Sequence, residues 1–130
     1  MPGCVLRASG ASFDVDAFLK ESPFEPDVVY RKGQRRRPAS RGAQKASGFN
    51  VVISRSEEPD QQVKDAMKFL KAHRQELVRL MKAPGIDGAL IDFHCPQQEF
   101  FARTAHLPNA LLNSAAALGL DVDVSFYLVA

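Results

Sequence analysis

Residues 60 to 82 read DQQVKDAMKFLKAHRQELVRLMK. Wound at about 100° per residue, Val63, Ala66, Met67, Leu70, Leu77 and Met81 fall within roughly a third of a turn, an apolar stripe suited to docking on a sheet. Lys64, Lys68, Lys71 and Glu76 point elsewhere, Gln61, Gln62 and Asp65 read as ordinary helix surface, and Pro59 suits a first turn whose amide needs no partner. Arg74 breaks the pattern by falling in mid-stripe, where an unpaired charge is costly to bury. The stretch is therefore expected to bend or break between Ala72 and Arg74, with Gln75 to Lys82 forming a second segment that presents Leu77, Leu80 and Met81. Ala83-Pro84-Gly85 ends it. Burying the six stripe residues contributes on the order of 10 kcal/mol before entropy, the main anchor available to so short a chain.

On either side of this helix the chain reads mostly as strands. Cys4 to Ser9 alternates and is closed by Gly10; Ser12 or Asp14 can cap a short helix over Val15 to Lys20, which Pro23 and Pro26 follow. Asp27 to Arg31 is β-branched and aromatic, and Gly48 to Arg55 sets Phe49, Val51 and Ile53 on one face. Beyond the helix, Gly88 to His94 is a fourth strand that Cys95-Pro96-Gln97-Gln98 is expected to break. Leu107-Pro108 opens a helix running to about Leu118, stopped by Gly119. Asp121 to Val129 sets Val122, Val124, Phe126 and Leu128 on one face, with Asp123, Ser125 and Tyr127 on the other. This order predicts one α+β domain over 1–130: two layers, a ferredoxin-like βαββαβ unit extended by a C-terminal αβ, and a mostly antiparallel sheet with helices on one face.

Net charge is +2, but the charge is unevenly divided. Arg31, Lys32, Arg35, Arg36, Arg37, Arg41 and Lys45 lie in one stretch without an acid, leaving ten basic against fifteen acidic residues elsewhere. Residues 32–47 thus read as a basic, flexible hairpin loop, longer than the usual structureless connection of about 12–15 residues. Its cations suit nucleic-acid phosphates or an acidic protein partner, although only Tyr30 offers an aromatic of the kind that single-strand readers interleave with their basic residues.

Several other features bear on chemistry. No apolar run reaches the roughly 18 residues of a membrane span, and MPGCVLRASG has no signal core, so no membrane association and a cytoplasmic location are expected. Cys4 and Cys95 fall on neighbouring first and fourth strands but are expected to be reduced thiols. His94 and Cys95 point to opposite strand faces, His73 and His106 are isolated and there is no C-x-x-C, so neither a metal nor a cofactor is expected. Asp92 and His94 share a strand face, yet no nucleophile elbow or phosphate loop accompanies them and no enzyme is expected. With Asp123, Ser125 and Tyr127 they make a polar sheet surface suited to docking an unidentified protein partner or a second copy.

Five segments carry a resemblance. They are the LRASG strand, the short helix followed by Pro-x-x-hydrophobic, Tyr-Arg-Lys-Gly at Tyr30 to Gly33, the two-part helix over Gln62 to Met81, and Leu-Gly-Leu-Asp-Val-Asp-Val-Ser-Phe-Tyr at Leu118 to Tyr127. Together they resemble the bacterial family catalogued as domain of unknown function 4279, over nearly the whole chain. The chain departs from that pattern in having no tryptophan and in placing Ser125 where an acidic residue is usual. The resemblance implies a small intracellular bacterial α+β domain without assigned enzymatic activity, some of whose relatives look like immunity proteins against toxins. The expected role is thus a non-enzymatic interaction domain, immunity-type or regulatory, with a nucleic-acid-associated protein as the alternative.

Overall fold

A computed structural model describes residues 3–36, 42–98 and 102–129. In chain order the elements are β1 (Cys4–Gly10), α1 (Val15–Lys20), β2 (Val28–Tyr30), β3 (Ser47–Ser54), α2 (Pro59–Ala72), α3 (Arg74–Met81), β4 (Gly88–Gln98), α4 (Asn109–Ala117) and β5 (Asp121–Val129). The five strands form one sheet in the order β2-β3-β1-β4-β5. Neighbours run antiparallel except β4 and β5, which are parallel because α4 carries the chain back between them. The molecule is α+β with a mostly antiparallel sheet.

Alternation along the central strand decides what is buried. Leu6 stands opposite Val51 and Ile91, and Ala8 opposite Phe49 and Ala89, so three strands contribute one continuous apolar surface. Val15 and Phe18 of α1, Val63, Ala66 and Leu70 of α2, Leu77 and Leu80 of α3, and Leu111 and Ala115 of α4 join those residues in a single core. Phe18 stacks on Phe49 with ring centroids 5.7 Å apart, fixing α1 over β3.

The long helical stretch divides as its pattern requires. His73 separates α2 from α3, Arg74 is exposed, and Leu77 and Leu80 are buried while Met81 packs at the core margin. Gln62 corrects the expectation of a surface residue: it is 1% exposed, and its Nε2 donates to the carbonyls of Ser56 and His94, each at 2.8 Å. Helical periodicity marks Gln62 as polar and hence outward, but a side-chain amide can be buried when it satisfies backbone groups that no strand reaches.

The second correction is β4, which continues through Pro96 to Gln98 instead of stopping at His94. His94 N–H donates to the Gly3 carbonyl at 2.8 Å, so amides of this parity face β1. The missing N–H of Pro96, two residues on, therefore lies beyond Cys4, where β1 begins. Side chains take over on that side: Gln62 caps the His94 carbonyl and Arg103 Nη1 donates to that of Pro96 at 2.8 Å. Helix α4 ends in a Schellman turn, with Leu120 N–H reaching the Ala115 carbonyl and Gly119 at φ 77° supplying the left-handed residue.

Candidate functional site

On β1, Arg7 occupies the sheet face opposite Leu6 and Ala8. Its register partners are Asn50 on β3 and Leu90 on β4, with Asp92 diagonal to it. Asp92 and His94, two apart on β4, share that face, and β5 brings Asp123 beside Asp92 and Ser125 beside His94. The strands thereby assemble a polar network from four separate segments.

Asp92 is its centre. Its Oδ2 lies 3.2 Å from Arg7 Nε and 3.0 Å from His94 Nε2, while Oδ1 accepts from Ser125 Oγ at 2.7 Å. Asn50, with its amide turned to suit both neighbours, accepts from Arg7 Nη1 at 2.9 Å. Asp92 and His94 are only 7% and 6% exposed, whereas Ser125 is exposed and Arg7 and Asn50 are half-buried. A carboxylate this buried is tolerated because the guanidinium neutralises it and both oxygens accept hydrogen bonds.

His94 Nε2 also lies 3.3 Å from Arg7 Nη2; a guanidinium only donates and a carboxylate only accepts, so this ring nitrogen hydrogen-bonds to one of the two at a time, according to its tautomer. The chemical order is then serine, carboxylate, imidazole. An acyl-transfer relay needs the imidazole between the other two, so here the Ser125 hydroxyl donates to a carboxylate instead of handing its proton to a base.

Of the residues expected on this face, Asp92, His94 and Ser125 are joined by hydrogen bonds. Asp123 is exposed beside them, and Tyr127 is half-buried opposite Pro96. Arg7 and Asn50 were not expected. The signal for Arg7 lies in the alternation of CVLRAS, which turns it away from Leu6 and Ala8, but its partners become visible only once strand order is known.

The basic connection has structure of its own. Gly33 N–H donates to the Gln44 carbonyl, Arg36 N–H to that of Gly42, and Arg35 bridges Ala43, so the hairpin ladder runs on past β2 and β3. Arg31 is engaged at its base: Nε and Nη2 grip Asp16 at 2.8 and 2.6 Å, and these hydrogen bonds hold the Asp16 carboxyl below its ordinary range. Lys32, Arg35 and Lys45 are exposed, while Arg36 keeps a buried Nε that has no hydrogen-bond partner among the described residues. Arg37 and Arg41 lie outside the described residues.

Cys4 and Cys95 are free thiols, both buried. Among the described residues no three His, Cys, Asp or Glu side chains are grouped to hold a metal, and no helix is long and apolar enough to cross a membrane.

The model of one protein family, described as Domain of unknown function (DUF4279), matches residues 2–129. The chain belongs to this family. No curated protein and no solved structure matched it. In this DUF4279 domain two of the sequence segments that carry the resemblance meet at the polar network: LRASG supplies Arg7, and the terminal strand supplies Ser125.

Proposed function

We propose that this DUF4279 chain is a non-enzymatic interaction domain, immunity-type or regulatory, acting in the bacterial cytoplasm by docking a protein partner on the polar face of its sheet. The observation that carries this reading is the network of Asn50, Arg7, Asp92, His94 and Ser125, which fixes hydrogen-bonding groups on four rigid strands with a buried floor and a reachable rim. Preorganised polar groups recognise a partner without ordering cost at the moment of binding. Asp123 and Tyr127 extend the rim along β5. In the same reading the strand order β2-β3-β1-β4 supports a ferredoxin-like unit, with β5 added beyond it and the helices gathered on the opposite, apolar face.

Quantitative affinity capture tests this by comparing the natural chain with an Asp123→Lys/Tyr127→Ala variant, followed by reconstitution from purified components. A protein that binds the natural chain and is lost with the variant supports the reading, and equal capture by both chains overturns it.

A second reading, binding of nucleic-acid phosphates, is supported by the exposed cations of the hairpin, Lys32, Arg35 and Lys45. Fluorescence anisotropy with generic DNA and RNA at about 50 and 200 mM salt distinguishes it, since several phosphate contacts lose orders of magnitude in affinity over that range. No binding at low salt excludes it.

A further inference from the structure

Strand β5 closes one end of the sheet, and among the described residues no strand lies beyond it. Its exposure is uneven. Val122 and Val124 pack against the core, but Phe126 and Leu128, on the same strand face, are 55% and 69% exposed. Sheet edges are ordinarily guarded by lysine, proline or a bulge, and DVDVSFYLV has neither residue and keeps regular register with β4. Its only charges, Asp121 and Asp123, sit in its N-terminal half.

We propose that a second copy of this chain covers this edge, β5 pairing antiparallel with its counterpart about a two-fold axis through Ser125. This register alone pairs all nine residues of the strand while keeping each apolar face continuous across the axis, because residues directly opposite share a face only when their numbers sum to an even value. Val122 then stands opposite Leu128 of the other copy, and Val124 opposite Phe126, which covers the two exposed apolar side chains. Asp121 faces Val129, and Asp123 faces Tyr127, whose hydroxyl can donate to it. The two acidic halves end at opposite ends of the ribbon. Charge and shape therefore select the same arrangement, an isologous interface that continues one sheet through two molecules. Asp123 and Tyr127 serve both this edge and the docking face, and the Phe126→Lys/Leu128→Lys variant, which leaves both in place, separates the two proposals.

Sedimentation velocity of the full chain from about 1 to 200 µM, a range over which mass action separates dimer from monomer, tests it together with cysteine cross-linking. The expected result is a species of twice the 14.3 kDa chain mass that reverts to monomer in the Phe126→Lys/Leu128→Lys variant. Ser125→Cys should form an intermolecular disulfide under mild oxidation, since residues opposite across an antiparallel pair have Cα atoms about 4.5–5.5 Å apart, within disulfide reach. Asp121→Cys should not, being about 27 Å from its counterpart at about 3.4 Å per residue. The cross-linking arm does not depend on the lysine variant folding. A chain that stays monomeric throughout overturns the proposal and leaves the edge to a strand of another protein. A dimer that survives in the folded lysine variant, or cross-linking of Asp121→Cys as ready as that of Ser125→Cys, overturns it equally.

Discussion

Burial, reinforced by the negative charges of Asp92 and Asp65, pushes the Cys4 thiol from 9.0 up to about 12. The folded protein therefore holds this proton more tightly than the unfolded chain, and stability that is fully present below pH 9 is lost as pH rises toward 12. The expected slope is about 1.4 kcal/mol per pH unit across that window, read from urea midpoints between pH 8 and 11, and Cys4→Ala should remove that contribution to the slope. At neutral pH the same burial predicts that a thiol reagent labels Cys4 only after unfolding. Gln62 presents the complementary case of a polar group whose partners require its burial. Gln62→Leu leaves the carbonyls of Ser56 and His94 without their donor and should cost on the order of 3 kcal/mol in chemical denaturation, against within about 0.5 kcal/mol for Gln61→Ala on the exposed side of the same turn. Equal effects of the two substitutions would show that the Gln62 bonds contribute nothing net.

Local rules act most visibly on the elements with clear ends. Asp14 accepts from Ala17 N–H at 3.1 Å and so caps α1, whose six residues are too few to hold a helix by propensity. Asp14→Ala should therefore cost about 1 kcal/mol in thermal or chemical denaturation and loosen the seat of Phe18 on Phe49. Such ends were legible in sequence, as was the break at His73, because a misplaced Arg74 and a capping Asp14 are local facts. The far half of β4 was not. Pro96 reads as a terminator until the neighbouring strand is known to stop first, and that is a fact about β1, some ninety residues away. The polar network divides along the same line: Asp92 and His94 share a face by spacing alone, whereas Arg7 and Asn50 reach them only through register between strands distant in sequence.

At the scale of the molecule, β5 is joined to the rest by parallel pairing with β4 and by α4, which docks through two buried residues, Leu111 and Ala115. Parallel pairing stabilises somewhat less per residue than antiparallel, so the C-terminal αβ depends on that docking. Leu111 is fully buried, while its neighbour Leu112 is exposed on the far side of the helix. Leu111→Ala should cost about 2–5 kcal/mol, and Leu112→Ala less than about 1 kcal/mol. Hydrogen exchange resolves where the loss falls. If α4 and β5 form one cooperative unit, amides of Asp121 to Val129 exchange faster in Leu111→Ala while those of β1 and β3 keep the protection set by the antiparallel centre. A uniform acceleration across all five strands would instead mean that the sheet opens only as a whole. That result would tie the β5 edge, and the Ser125 contribution to the polar network, to the global stability of the fold.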